Sequence, residues 1–160
     1  MQLVITAVGR LKAGPEQDLL ARYLKLAVAA GRPVGMQVAQ VIEISESKAP
    51  STLRRKADEA ERLLTACRGA AVRIALDEYG KAVGSVAFAE LLRQHRDAGD
   101  KAMAFLIGGP DGHGDAVLGS ASIRLSLGPM TLPHGLSRIV LAEQIYRAIT
   151  ILSGHPYHRP

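Results

Sequence analysis

Two glycine-rich segments in the second half of the chain have the residue types best suited to holding a ligand. They read Gly-Gly-Pro-Asp-Gly-His-Gly over residues 108–114 and Gly-Pro-Met-Thr-Leu-Pro-His-Gly over residues 128–135. Glycine lets a backbone approach a ligand closely and adopt a positive φ, so both segments can present bare amide and carbonyl groups. Such groups could recognise the edge of a nucleic-acid base.

Neither segment has the spacing of a common nucleotide-binding loop. No Lys-Ser or Lys-Thr pair follows residues 108–114, as a phosphate loop requires, and the glycines do not follow the GxGxxG spacing. These absences argue against nucleotide hydrolysis and nicotinamide binding.

The end of the chain reads His-Pro-Tyr-His-Arg-Pro over residues 155–160, directly after an apolar helical stretch. The prolines stiffen this tail, and its side chains offer hydrogen-bond donors, a proton acceptor and a fixed positive charge. Such a tail suits an anionic substrate that must lose a proton.

The histidines and the cysteine do not predict a metal site. Pro156 lies between His155 and His158 and prevents a regular helical face, and His134 lies far upstream. A metal hydrolase is therefore a distant alternative. Cys67 is the single cysteine, which excludes an intramolecular disulfide, and it lies on an apolar helical stripe that predicts a core residue.

The elements that position these segments alternate between strand and helix. Periodicity and turn residues predict strands at residues 2–8, 36–44, 70–76, 102–107 and 123–127, and helices at 16–30, 51–67, 85–99 and 136–153, with a short helix before the last strand. No linker or repeat divides the chain, so residues 1–160 form one α/β domain with a largely parallel sheet. Ligands of such sheets bind beyond the carboxyl ends of the strands.

Composition and charge fit this picture. The 160 residues are 48% hydrophobic, enough for one core, and the net charge is +5 with a pI near 9.7. The whole excess lies in residues 1–73, including the run Arg54-Arg55-Lys56. This favours a polyanionic partner, although a solvated helix face is an equally good interpretation of the charge alone. The chain has two Phe, four Tyr and no Trp, which argues against a base-stacking platform.

The sequence also predicts a location. No stretch reaches the roughly 18 to 20 apolar residues of a membrane span. The first residues lack the basic flank and cleavage site of a secretory signal. We expect a cytoplasmic protein.

Four motifs together resemble one known family. They lie at residues 105–112, 125–134, 141–148 and 155–159, and shorter matches extend the likeness over essentially the whole chain. In these motifs the chain is similar to the RlmH family, bacterial ribosomal RNA large-subunit methyltransferases of the SPOUT superfamily.

The resemblance implies a SPOUT-type α/β fold with a C-terminal trefoil knot over about residues 102–160, and a homodimer. It implies S-adenosylmethionine as the methyl donor and no metal. The reaction would be methylation of N3 of a pseudouridine, position 1915 of 23S rRNA, in a hairpin at the subunit interface of the ribosome. Alternatives are a SPOUT methyltransferase with another RNA target, such as transfer RNA, and a non-catalytic ribosome-binding protein.

The resemblance also assigns site residues. The cofactor site would be formed by Leu76, Gly108, Gly109, Leu127, Gly128, Pro129, Met130, Thr131 and Leu132. The substrate side would be formed by the tail residues His155, Tyr157, His158 and Arg159, with Arg138 and Glu143 nearby, in a site shared between protomers. His155 or His158 would act as the base, and Arg159 or Arg138 would stabilise the developing anion.

Overall fold

A computed structural model describes residues 1–159; Pro160, the last residue of the predicted tail, lies outside the described residues. The strands are β1 (Gln2–Val8), β2 (Gln37–Ile44), β3 (Val72–Ala82), β4 (Ala102–Ile107) and β5 (Ile123–Ser126). The helices are α1 (Pro15–Gly31), α2 (Thr52–Ala66), α3 (Ser85–Asp97), α4 (Asp115–Ser120) and α5 (His134–Ser153), and a single 3-10 turn follows α1 at Arg32–Val34. Among residues 1–159, no helix is both long enough and apolar enough to cross a bilayer.

The five strands form one sheet in the order β2-β1-β4-β3-β5, and every described pair of neighbours is parallel. The prediction of an α/β domain with a parallel sheet is confirmed. Because the strands run in the same direction, the ends of β3, β4 and β5 meet at one edge of the sheet. The segments that follow these strands are therefore brought together in space.

Helices cover both faces of the sheet. The first face carries α1, α3 and α5, and the second carries α2 and α4. Strand residues alternate between the two cores: Met103 and Phe105 of β4 face the first, whereas Ala104 and Leu106 face the second. All six residues of β4 are buried, as expected for a central strand with helices on both sides.

Strand β3 is longer than predicted. The sequence indicated an end at Leu76, but β3 continues to Ala82. Residues 77–80 loop out of the ladder, so both Leu76 and Lys81 pair with Leu125 of β5. A Cβ at Gly80 would lie 2.7 Å from backbone carbons of β5, so only glycine fits where the chain returns. This pairing depends on β5, far along the chain, and local periodicity could not show it.

The helix boundaries lie within two residues of their predicted positions. Ser51 caps α2, since its hydroxyl accepts a hydrogen bond from the Arg54 amide at 3.3 Å. Helix α5 begins at His134, two residues before the predicted start. Pro133 directly precedes it with φ −55°, a value that already suits a helix start.

Arg138, which the resemblance assigned to the substrate side as a group that stabilises the anion, is buried in this chain. Its side chain is 1% exposed. The guanidinium donates to the carbonyl oxygens of Val8 and Gly9 at 2.6 and 3.0 Å and to Oε1 of Glu43 at 2.8 Å. It therefore ties α5 to the ends of β1 and β2, and any effect on a substrate acts through the elements it holds.

We expect Arg138→Met to reduce the free energy of unfolding by about 3 kcal/mol or more, because it leaves the Glu43 carboxylate and two carbonyl oxygens without their cation. Urea denaturation of the purified protein measures this. Arg93→Met is the matched control: Arg93 pairs with Glu90 and Asp97 on the surface of α3, where solvent screens the charges, so its loss should cost much less stability. Equal losses in the two variants would contradict the structural role of Arg138.

Candidate functional site

The ends of β3, β4 and β5 enclose a cleft of about 310 Å³. Its walls come from three segments, residues 76–78, 107–113 and 125–132, and from the first turn of α5. We call it the strand-end cleft. It lies at the carboxyl edge of the sheet, where ligands of parallel sheets bind, and its volume lies in the range of small-molecule sites.

The structure brings together most of the residues predicted to hold the cofactor. Eight of the nine line the strand-end cleft: Leu76, Gly108, Gly109, Leu127, Gly128, Met130, Thr131 and Leu132. Pro129 lies between two lining residues but does not itself line the cleft. The three segments are far apart in sequence and meet only because their strands are neighbours. Their role as a cofactor site stays a prediction.

Tight turns shape two of the walls. In loop 108–114 the Gly112 amide donates to the Gly109 carbonyl at 2.9 Å, and Gly112 has a φ of +80°. In the segment after β5, Gly128 has a φ of +128°, and the Ser126 hydroxyl both donates to the Gly128 carbonyl at 3.0 Å and accepts from its amide at 3.2 Å. Positive φ explains the choice of glycine at both positions.

His113 joins two walls of the cleft, and the sequence analysis gave it no such role. The residue is 8% exposed, and its Nε2 lies 3.0 Å from the carbonyl oxygen of Leu76. Because a carbonyl oxygen can only accept, Nε2 carries a proton and donates to it. Burial lowers the pKa of His113, so the ring is neutral near pH 7. A histidine inside a glycine-rich loop was the available sequence signal.

Carboxylates give the cleft a negative lining. Asp77, Glu78 and Asp111 all line it. Asp77 pairs with Arg124, and Asp111 accepts from Arg55 Nε at 2.7 Å, a hydrogen bond that holds the pKa of Asp111 below its usual value. The pairing with Arg55 keeps Asp111 ionised near neutral pH, and an acidic lining suits a ligand with a positive charge. In the part of the chain that the structure describes, no group of three or more His, Cys, Asp or Glu side chains could hold a metal ion.

The tail packs against the last helix rather than into the cleft. The Tyr157 hydroxyl donates to Oε1 of Glu143 at 3.0 Å, and the Arg147 guanidinium lies 4.8 Å from the centre of the Tyr157 ring. The Tyr146 and Tyr157 ring centres are 4.6 Å apart. Burial, followed by the hydrogen bond to Glu143, raises the pKa of Tyr157, so its hydroxyl keeps its proton. In one chain, Tyr157 therefore anchors the tail.

The two tail histidines have different environments. His155 is exposed, and its Nδ1 accepts the Tyr157 backbone amide at 3.2 Å, which places the ring proton on Nε2. His158 is half-buried, and its Nδ1 has no hydrogen-bond partner among residues 1–159. Arg159 is exposed. None of the described tail residues lines the strand-end cleft.

Comparison with known proteins identifies the family. A family model described as "Predicted SPOUT methyltransferase" matches residues 1–158. The chain belongs to this SPOUT methyltransferase family. The match confirms the resemblance drawn from the four motifs, and it makes the strand-end cleft the candidate site of a methyltransferase.

Relatives match over nearly the full chain. A protein of Chelativorans sp. strain BNC1 is 52% identical over 159 residues, which covers 99% of this chain and 91% of the relative. A protein of Brucella anthropi is 49% identical over 159 residues and is covered to 99%, as is this chain. Both relatives are named Ribosomal RNA large subunit methyltransferase H.

A solved structure supports the fold. A probable methylase family protein from Haemophilus influenzae Rd KW20 aligns with a TM-score of 0.56 at 9% identity, over 99% of this chain and 70% of that one. At this identity the likeness concerns the fold alone, and it agrees with the α/β architecture described above.

His113 should make stability depend on pH. Its pKa is lowered by folding, so as the pH falls below about 6.5 the unfolded chain takes up the proton first, and the stability gained from the neutral ring is lost. We expect His113→Gln, which can still donate to Leu76 but does not titrate, to lose less stability than the parent protein between pH 7.5 and 5.5. Urea denaturation at both pH values measures this. Identical losses in parent and variant would show that His113 does not contribute.

Proposed function

We propose that this chain methylates N3 of a pseudouridine in 23S rRNA, at position 1915 in the interface hairpin, with S-adenosylmethionine as donor. The observation that carries the proposal is the strand-end cleft, because it brings together eight of the nine residues predicted to hold the cofactor. The chain is also about half identical, over 99% of its length, to proteins named as large-subunit rRNA methyltransferases. The proposed substrate is the assembled ribosome in the cytoplasm.

The lining of the cleft fits this cofactor. Leu76, Ile107 and Leu127 provide apolar surface for an adenosine group, and loop backbone provides donors and acceptors for its polar edge. The acidic side chains Asp77, Glu78 and Asp111 line the cleft and suit the positive charge of a sulfonium. When bound, the cofactor supplies an electrophilic methyl group that needs no covalent help from the protein, so the cleft has only to hold and orient it.

The protein's remaining task is to handle the proton on N3. Methylation forms a carbon–nitrogen bond with the N3 electron pair, so the N3 proton must leave. We assign its removal to the imidazole of His155 or of His158, with the exposed guanidinium of Arg159 stabilising negative charge on the nucleobase. Arg138 acts as a positioning residue, because its guanidinium is enclosed by Val8, Gly9 and Glu43. Tyr157 is also a positioning residue, because its hydrogen bond to Glu143 holds the tail against α5.

The separation of tail and cleft within one chain supports a homodimer. If both belong to one active site, the tail of one protomer must serve the cleft of its partner. A second copy would also add surface for the RNA target, and the basic run Arg54-Arg55-Lys56 would add phosphate contacts. We extend the proposal to the C-terminal knot expected of this family over about residues 102–160, which would hold the three cleft segments together.

Mass spectrometry tests the reaction. Ribosomes from a strain lacking this gene, and naked 23S rRNA, would be incubated with the purified protein and S-adenosylmethionine. We expect one added methyl group at the interface-hairpin pseudouridine, on ribosomes only. No methylation despite measurable cofactor binding would indicate another RNA target, and absence of cofactor binding would indicate a non-catalytic ribosome-binding protein.

A complementation experiment tests the shared site. One chain carries Gly108→Val in the cleft and the other carries His155→Asn and His158→Asn in the tail; each homodimer should be inactive. Mixed dimers contain one site with an intact cleft and an intact tail from different chains, so random mixing should restore about a quarter of the parent activity. Mixtures with no activity, despite heterodimers detected by native mass spectrometry, would place cleft and tail in the same chain.

A further inference from the structure

Helix α2 forms a second support for loop 108–114, outside the strand-end cleft. Three residues near the start of this helix contact the loop: Arg55, Lys56 and Glu59. The established features of the cleft do not require this helix, since α2 lies on the second face of the sheet with α4. Its contacts with the loop therefore need an explanation of their own.

The strongest contact is a two-point ion pair. Arg55 Nε donates to Asp111 Oδ2 at 2.7 Å, and its Nη2 donates to Asp111 Oδ1 at 3.3 Å. The same guanidinium is held at the start of α2, through Nη2 to the Thr52 hydroxyl at 2.9 Å, and by the segment before the helix, through Nη1 to the Ala49 carbonyl at 3.4 Å. The Arg55 guanidinium is therefore already oriented for pairing with Asp111, which lowers the conformational entropy lost when the ion pair forms.

Two close approaches leave the loop little room to move against the helix. A Cβ at Gly114 would lie 2.5 Å from the Lys56 carbonyl oxygen, and one at Gly109 would lie 2.8 Å from Glu59 Oε2. Glu59 is 4% exposed, and its Oε1 accepts the Ser47 amide at 2.8 Å. Its Oε2 is buried without a hydrogen-bond partner among residues 1–159. The loop backbone therefore rests directly on α2.

We propose that Arg55 is a positioning residue for the cofactor site, holding Asp111 and with it loop 108–114 in the conformation that binds the cofactor. The inference rests on the proposed function, because it takes the strand-end cleft as the site of S-adenosylmethionine. Arg55 itself does not line the cleft, so it acts through the loop. Without the Arg55–Asp111 pair, the loop would spend part of its time in conformations that do not bind the cofactor. The apparent affinity for the cofactor would then fall in proportion to the fraction of molecules that remain competent to bind.

Isothermal titration of the parent protein and variants with S-adenosylmethionine tests the proposal. We expect Arg55→Gln to weaken binding roughly tenfold, equivalent to about 1.4 kcal/mol. Arg62→Gln is the matched control, because Arg62 forms the same kind of pair with Asp58 on the same helix without touching the loop; its affinity should equal that of the parent. Equal affinities of Arg55→Gln and Arg62→Gln would overturn the inference while leaving the proposed function intact.

S-adenosylhomocysteine separates positioning from charge. This product of methyl transfer has a neutral sulfur, so loss of loop order should weaken the binding of both ligands by the same factor. Freeing the Asp111 carboxylate from Arg55 would instead change the affinity for the sulfonium alone, and that result would overturn the positioning role. Arg55→Lys keeps the charge but loses the two-point fork, so it should restore only part of the affinity.

Hydrogen exchange of the ligand-free protein gives a readout that does not depend on the cofactor. Amides of residues 108–114 should exchange faster in Arg55→Gln than in Arg62→Gln, and unchanged exchange would overturn the inference. Gly114→Ala, which must push the loop from Lys56, should give the same loop-specific increase, whereas Gly119→Ala should not, because a Cβ at Gly119 meets nothing within 4 Å. A parent protein that binds neither ligand would overturn the proposed function separately.

Discussion

The parallel pairing of β3 with both β4 and β5 is the constraint on which the rest of the molecule depends. It directs three strands toward one edge, so the segments after Leu76, Ile107 and Ser126 must meet there. The fully buried β4 makes this arrangement stable, since both of its faces pack against helix-covered cores. The direction of the strands therefore sets the position of the cleft, and the side chains then determine its lining.

A site built from strand ends lacks the hydrogen bonds of the ladder that precedes it, and side chains supply the missing order. His113 joins loop 108–114 to the end of β3, Ser126 closes the turn at Gly128, and Arg55 holds Asp111 from α2. The His113 and Arg55 contacts each join segments far apart in sequence. The glycines that let the backbone turn so tightly would otherwise leave it mobile, because they restrict φ and ψ least.

The second half of the proposed site obeys a different constraint. Helix α5 begins at the cleft with His134 and carries the tail away from it, and Tyr157 then fixes the tail to Glu143 and Arg147 on the same helix. A rigid helix between cleft and tail explains why one chain does not combine them. In the proposed homodimer, a two-fold arrangement would supply the missing half by bringing each tail to the other cleft.

The amino-acid pattern by itself determined the alternation of strands and helices, their boundaries to within two residues apart from the end of β3, and the two glycine-rich segments that line the cleft. These follow from local periodicity, helix caps and the positions of glycines, all of which can be recognised within a short stretch of sequence. The resemblance to a known family supplied the candidate cofactor residues. Only the tertiary structure decided that β3 resumes at Lys81, that Arg138 is enclosed, and that His113 and Arg55 support the cleft. Each depends on a partner distant in sequence, and no local pattern records which distant groups a fold brings within hydrogen-bond reach.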